Sequence, residues 1–491
     1  MSSHILSKST YMRGRRCPKA LWLYKNRRDL LLQADAQKQA VFDTGTEVGV
    51  LARGLFPGGV DCTPEHHYDY APSISATQAA ITSGANVIYE AAFLHEGVLA
   101  ALDILVRTSE GWKAYEVKSS NSVSDDHVDD VALQAHVIQG AGLTLEDVSI
   151  IHLNRDYVRR GELDVDQLFT ISSVKDRLAV DPGSVPARID ALKTMLALGQ
   201  EPTISIGSQC DSPYICDFKS HCWAHVPDER SVFDLTRGGK RSWSLYERGI
   251  MRLEDIPDDE VLTAAQQIQV EGSKRGTTVI DRPHIAEFVR SLQYPLHHFD
   301  FETFATAVPM YDAVRPHQHI PFQYSVHIQA EPGAEPEPRA FLADGKGEPR
   351  EALVEQLLKD LGAAGDVLVY NAAFERGKLN DLARDFPQYS EPICRVIDRM
   401  KDLMLPFQKM WYYVPAMNGS YSLKSVLPAI VPELRYDALN IQEGGTASFL
   451  YGQLAQGKDV GDPVKLREDL LAYCGLDTMA MVRILDVLHC L

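Results

Sequence analysis

The chain has 491 residues, 45% of them apolar and 24% charged, with a net charge of −18. That length excludes one ordinary core and predicts two to four soluble domains, and the acidic balance excludes indiscriminate nucleic-acid binding over the whole surface. There is no apolar run long enough for a membrane helix, and the eight cysteines are too few and scattered for a secreted disulfide scaffold, so a cytoplasmic protein is expected.

Three blocks are expected in chain order: 1–228, 229–290 and 291–491. The first opens on a basic segment, with Lys8, Arg13, Arg15, Arg16, Lys19, Lys25, Arg27 and Arg28 ahead of the first acid, Asp29. Mixed with Cys17, Trp22 and Tyr24, and lacking an apolar core, this segment reads as folded protein rather than a signal or transit peptide. Next, "LAALDILVRTSEGWKAYEVKSS" (99–120) predicts a hairpin in which Asp103 interrupts an apolar run. "AYEVKSS" alternates with period two, placing Glu116 and Lys118 on one face. Two carboxylates and an ammonium in this order suit phosphodiester cleavage. Asp103 and Glu116 would hold Mg²⁺ or Mn²⁺ beside the Val117 carbonyl, and Lys118 would face the scissile phosphate. The block closes on "QCDSPYICDFKSHCW", whose Cys210, Cys216 and Cys222 join the distant Cys17 as candidate ligands of a closed structural site, with zinc or 4Fe–4S as the occupant.

Residues 229–290 are polar and helical in pattern, and predict a linker. "LYERGIMRLEDI" faintly resembles a helix–hairpin–helix turn with an incomplete glycine pattern.

The last block begins with "YPLHHFDFETFA" (294–305), a strand with Asp300 and Glu302 at i and i+2 and hence on one face. Like charges forced together on a core strand make sense if they hold cations, and two ions about 3.5–4 Å apart serve phosphodiester hydrolysis. More carboxylates are then required. "DVLVYNAAFERGKLNDLA" predicts strand, turn and helix with Glu375 near the helix start. In "LREDLLAYCGLDTMAMVRIL", Tyr473 and Asp477 stand one helical turn apart. Tyr473 would orient the attacking water. Asp381 is a second choice of ligand, and Asp398 and Asp402 in "VIDRMKDLMLPF" are expected nearby.

"DFET", "NAAFE" and "YCGLD" resemble the three motifs of the DnaQ-like 3′–5′ exonucleases of RNase H-like fold, in their tyrosine variant. One departure is Glu375, where that family carries Asp. Likewise D-x12-E-x-K over Asp103, Glu116 and Lys118 resembles the PD-(D/E)XK nucleases. Glu90 in "VIYEAAF" and Gln134 in "DVALQAHVIQGAGL" resemble the upstream acid and the helical Gln of the RecB-like group. Ile138 stands where that group has a Tyr, and Gly49 stands near the place of its early His ligand. One distant Cys plus a C-terminal trio resembles the iron–sulfur RecB-like nucleases, which implies a 4Fe–4S cluster rather than zinc.

The resemblance as a whole is to a bacterial fusion family joining a RecB-like domain (1–228) through a helical linker (229–290) to a DnaQ-like domain (291–491). It implies a divalent-metal-dependent nuclease acting on single-stranded DNA or DNA ends, in repair, CRISPR adaptation or phage defence. Open alternatives are one active site instead of two, an RNA substrate, and a non-catalytic nucleic-acid scaffold. Arg13, Arg15 and Arg16 are expected either to meet DNA phosphates or to serve as solubilising charge.

Overall fold

A computed structural model describes residues 5–32, 36–66, 68–178 and 183–491. The chain is α/β and divides into two compact units, Met1–Ala224 with Thr306–Gln318, and His225–Ala305 with His319–Leu491. Among the described residues, no helix is long and apolar enough to cross a membrane.

The first unit is built on a mixed seven-stranded sheet. Its strands are β1 (Leu6–Ser7), β2 (Val60–Asp61), β3 (Val87–His95), β4 (Val98–Arg107), β5 (Trp112–Lys118), β6 (Leu145–Leu153) and β7 (Phe169–Ser173). The order is β2-β3-β4-β5-β6-β7, with β1 pairing β4. β3, β4 and β5 form an antiparallel meander, and β6 runs parallel to β5. β4 reads apolar almost throughout because both of its faces are covered. The helix Asp125–Gly140 is capped by Ser124, whose hydroxyl accepts the His127 N–H, and it buries Val131, Leu133, Val137 and Ile138 in the main core. Thr306–Gln318 belongs to this unit although it directly follows a strand of the other. Arg159 Nη1 donates to the Pro309 and Met310 carbonyls, each at 2.9 Å, and Ala307 sits in an apolar cluster with Tyr115 and Ile151.

The second unit holds a five-stranded sheet of β9 (Leu296–Phe304), β10 (Ile320–Gln329), β11 (Glu337–Leu342), β12 (Val367–Val369) and β13 (Met400–Asp402), in the order β11-β10-β9-β12-β13. Counted within the sheet, that order is 3-2-1-4-5. The first three strands are antiparallel, and the last two run parallel to β9. The 27-residue helix Pro463–His489 starts at the Asp462 cap with Pro463 in its first turn, and its apolar stripe of Leu466, Leu470, Met481, Ile484, Leu485 and Leu488 is buried.

Residues 229–290, which the sequence presents as a linker, are part of this second unit. Ile285 and Phe288, on the helix Arg282–Arg290, share a core with Tyr412 and Leu485, and β8 (Val279–Ile280) pairs with β14 (Tyr412–Tyr413). Apolar side chains one helical turn apart gave this stretch a face to bury, which a free linker lacks. No helix–hairpin–helix forms at "LYERGIMRLEDI": after Gly249 the chain makes an isolated bridge, Ser231 to Arg252, and a short 3₁₀ turn, Leu253–Asp255.

Candidate active sites

In the second unit, β9 is the central strand, and its pairing with β12 covers only His297 and His298. Beyond His298 the two strands part, and Asp300 and Glu302 lie in the opening. Ligand sites form where neighbouring parallel strands diverge at their carboxyl ends. On the other side β9 stays paired, with Asp300 opposite Ser325 and Glu302 opposite Gln323.

The helix Pro463–His489 is pinned to β10 by polar contacts. Thr478 Oγ1 lies 2.7 Å from Ser325 Oγ and 2.8 Å from His327 Nδ1, and Gln323 Nε2 donates to the Leu470 carbonyl at 2.8 Å. This fixes Tyr473 and Asp477 against the β9 acids. Glu375 comes from the helix Ala372–Asp385. The Asp402 carboxylate caps that helix by accepting the Asn371 and Ala372 N–H groups, each at 3.0 Å. Asp402 is therefore committed to orienting Glu375. Asp381 is paired with Lys378 and Arg384 and does not line the cavity described below, and Asp398 is exposed at the end of its own helix.

Asp300, Glu302, Tyr473 and Asp477 line one cavity of about 710 Å³. Burial, then the charges of Asp477, Glu302 and Glu375, pushes the Asp300 carboxyl well above its usual range; burial and Asp477 do the same to Glu302. Burial also raises Asp477 to about 6 and Glu375 to about 8. The Glu375 side chain is 2% exposed, and its Oε2 has no hydrogen-bond partner. Buried carboxylates in this state lack counter-charge, and a donor set dominated by carboxylate oxygens fits Mg²⁺ or Mn²⁺.

Three further residues belong to the site. Tyr436 donates its hydroxyl to Asp477 Oδ1. Lys424 Nζ lies 5.3 Å from the Tyr473 ring and 5.5 Å from the Tyr436 ring, and its charge opposes the rise at Glu302 and Asp477. Cys474 is fully buried, and its Sγ lies within 4.8 Å of ligand atoms of both Asp300 and Glu302. Its place between Tyr473 and Asp477 on one helix was the available signal.

The first unit gathers its own acids where β4 and β5 part, just past the Ile104–Tyr115 pair. Asp103 Oδ2 accepts the Val117 N–H at 2.6 Å. Glu116 is 2% exposed and takes hydrogen bonds from Lys118 Nζ at 2.8 Å and Gln134 Nε2 at 2.7 Å. Glu90 lies across the β3–β4 ladder, close enough for its charge to raise the Asp103 carboxyl further after burial and Glu116. Glu90, Asp103, Glu116, Lys118 and Gln134 thus meet.

Two residues not singled out in the sequence join them. Asp130 Oδ2 accepts from Lys118 Nζ at 2.5 Å, and Lys8 Nζ reaches Glu116 Oε1 at 2.6 Å and Asp130 Oδ2 at 3.6 Å. Burial works to raise the Glu116 carboxyl, but Lys118 and Lys8 outweigh it and hold the group well below the usual range. Unlike the second-unit acids, Glu116 already has its counter-charge. Asp130 and Gln134, one turn apart on one helix, were a legible pair.

Cys17, Cys210, Cys216 and Cys222 also converge. Burial raises the Cys222 thiol, and the other three cysteines add to the rise. Cys17, Cys216 and Cys222 pack around Ala20, Leu23 and Phe218.

The nearby guanidinium groups are engaged inside the fold. Arg13 pairs with Asp217 at 2.9 Å, Arg15 pairs with Asp126 and Asp129, and Arg16 Nε donates to the Gln209 carbonyl at 2.6 Å. Their charge ties the Cys17 segment to the rest of the unit.

Fold and sites together define an α/β chain with one carboxylate cluster in each of its two units. Residues 297–422 match a family described as "Domain of unknown function (DUF2779)". The match takes in Asp300, Glu302 and Glu375 and ends before Tyr473. No curated protein matches the chain.

Proposed function

We propose that this protein is a divalent-metal-dependent nuclease that hydrolyses phosphodiester bonds in DNA, on single strands or at ends. The observation that carries the reading is that Asp300, Glu302 and Asp477 line one cavity without enough counter-charge, with Glu375 behind it and close enough for its charge to act on Asp300. The 3-2-1-4-5 order of the sheet supports it, because that is the order of the RNase H-like fold that the three motifs imply.

Bound Mg²⁺ or Mn²⁺ would supply charge neutralisation and water activation. Asp300, Glu302, Glu375 and Asp477 would hold the ions. Tyr473 keeps its phenolic proton, because burial and the charges of Asp477 and Glu302 raise it above the ordinary range, so it orients the attacking water by hydrogen bonding rather than as a phenolate. Lys424 presents its ammonium to the substrate phosphate. His319, Phe374 and Tyr421, which also line the cavity, suit stacking of unpaired bases.

In the first unit, Asp103 and Glu90 would hold the metal with Glu116. Lys118 would face the phosphate, and Gln134 would orient Glu116.

End-labelled oligonucleotides test this reading. Wild type is expected to cut single-stranded DNA with Mn²⁺ and to stop with EDTA. Asp300→Asn and Lys118→Met, tested separately, assign the cutting to one unit or both. Preference for the matched RNA oligomer would move the substrate to RNA. Chelator-insensitive binding without cleavage would overturn the enzyme reading in favour of a scaffold.

A further inference from the structure

The hairpin joining β3 to β4 turns on two residues, Glu96 and Gly97, both with positive φ (48° and 71°). Turns of this type favour Asn or Gly at the first position, where a longer side chain is strained. Glu96 nevertheless stands there, beside His95 at the end of β3. Against this tip packs the helix Asp125–Gly140, which offers His136. The His95 and His136 rings are 5.7 Å apart at 71°. A Cβ at Gly140 would overlap the His95 ring, so glycine is what lets that ring lie against the helix. One ligand atom each from His95, Glu96 and His136 lies within 4.8 Å of the others. The tip is also held from the helix Ser184–Ala197, where Lys193 Nζ donates to the Glu96 carbonyl at 2.5 Å.

The geometry points to a transition-metal site formed by His95, Glu96 and His136, separate from both carboxylate clusters. Two imidazoles and one carboxylate select Zn²⁺ over Mg²⁺, whereas the carboxylate clusters suit Mg²⁺ or Mn²⁺. Three protein ligands leave a fourth position for water. The ion would staple the hairpin whose strands carry Glu90 and Asp103 to the helix that carries Asp130 and Gln134. It bridges elements from which the first-unit cluster is assembled.

Calorimetric Zn²⁺ titration of the full-length protein tests this, with the four cysteines in their as-isolated loaded state and excess Mg²⁺ to occupy the carboxylate clusters. Wild type is expected to bind one Zn²⁺ more per chain than His136→Ala, and Zn²⁺ to raise the melting temperature of wild type only. Glu96→Gln, at an exposed turn where folding is not at risk, is expected to weaken that binding roughly tenfold or more. Equal Zn²⁺ stoichiometry and affinity in wild type, His136→Ala and Glu96→Gln would overturn the site.

Discussion

Lys8 Nζ lies 2.6 Å from Glu116 Oε1, although 108 positions separate the two residues. The first turn of the N-terminal helix Lys8–Arg16 thereby delivers an ammonium into the first unit's carboxylate cluster, beside the Lys118 that the motif supplies. A cation at that place competes with a metal ion for Glu116. Lys8→Met is therefore expected to tighten Mn²⁺ binding at this cluster by about tenfold or more, from the Coulomb repulsion removed. Lys8→Arg is expected to leave binding near wild type. Mn²⁺ titration followed by paramagnetic resonance, in an Asp300→Asn background that silences the other unit, reads the difference; unchanged affinity in Lys8→Met would refute the competition.

The second-unit acids give stability a definite pH slope. Asp477 is raised to about 6 and Glu375 to about 8, against unfolded carboxylates near ~4. Between those limits the fold binds more protons than the unfolded chain, so metal-free stability falls as pH rises through 6 and on through 8. In EDTA the melting temperature at about pH 8.5 is expected to lie below that at about pH 5.5 by several degrees, on a scale of ~2–4 °C per kcal/mol. Millimolar Mg²⁺ is expected to remove most of the slope, because it binds the ionised form. A flat profile in EDTA would contradict the burial of these groups.

The four thiols make a spectroscopic prediction. Anaerobically purified protein is expected to be brown, and Cys222→Ser is expected to lose the colour and the iron together. Colourless wild type with one zinc per chain would assign the thiols to zinc instead.

Arg350 is 2% exposed and pairs with Glu348 and with the buried Asp385, each at 2.7 Å. Arg350→Met removes the guanidinium that pairs with the buried Asp385, so destabilisation by about 3 kcal/mol is expected, at the low end for breaking a buried pair. The urea midpoint of the second unit's transition measures it. A change below about 0.5 kcal/mol would contradict a stabilising role for the Arg350–Asp385 pair.

Much of both sites was legible because each piece is local. The i, i+2 spacing of Asp300 and Glu302 and the i, i+4 spacing of Tyr473 and Asp477 fix which face each side chain takes, whatever the tertiary fold. The residues that escaped are those whose partners are distant in the chain. Nothing beside Lys8 announces Glu116, and Tyr436 approaches Asp477 across 41 positions. Charge alone also leaves partners unnamed: nothing in the run containing Arg13, Arg15 and Arg16 announces its pairing with Asp217, Asp126 and Asp129. The segment Thr306–Gln318 follows the acidic strand in sequence, and contacts such as those with Arg159 and Tyr115 assign it to the first unit.

The convergence of the second-unit carboxylates on divalent ions is tested most directly by counting Mn²⁺ bound per chain. Wild type and the double variant Asp300→Asn, Glu302→Gln would be compared by equilibrium dialysis at about pH 7.5. Wild type is expected to hold more Mn²⁺ than the variant, with the difference displaced by Mg²⁺. Equal uptake by the two proteins would contradict a metal site on β9.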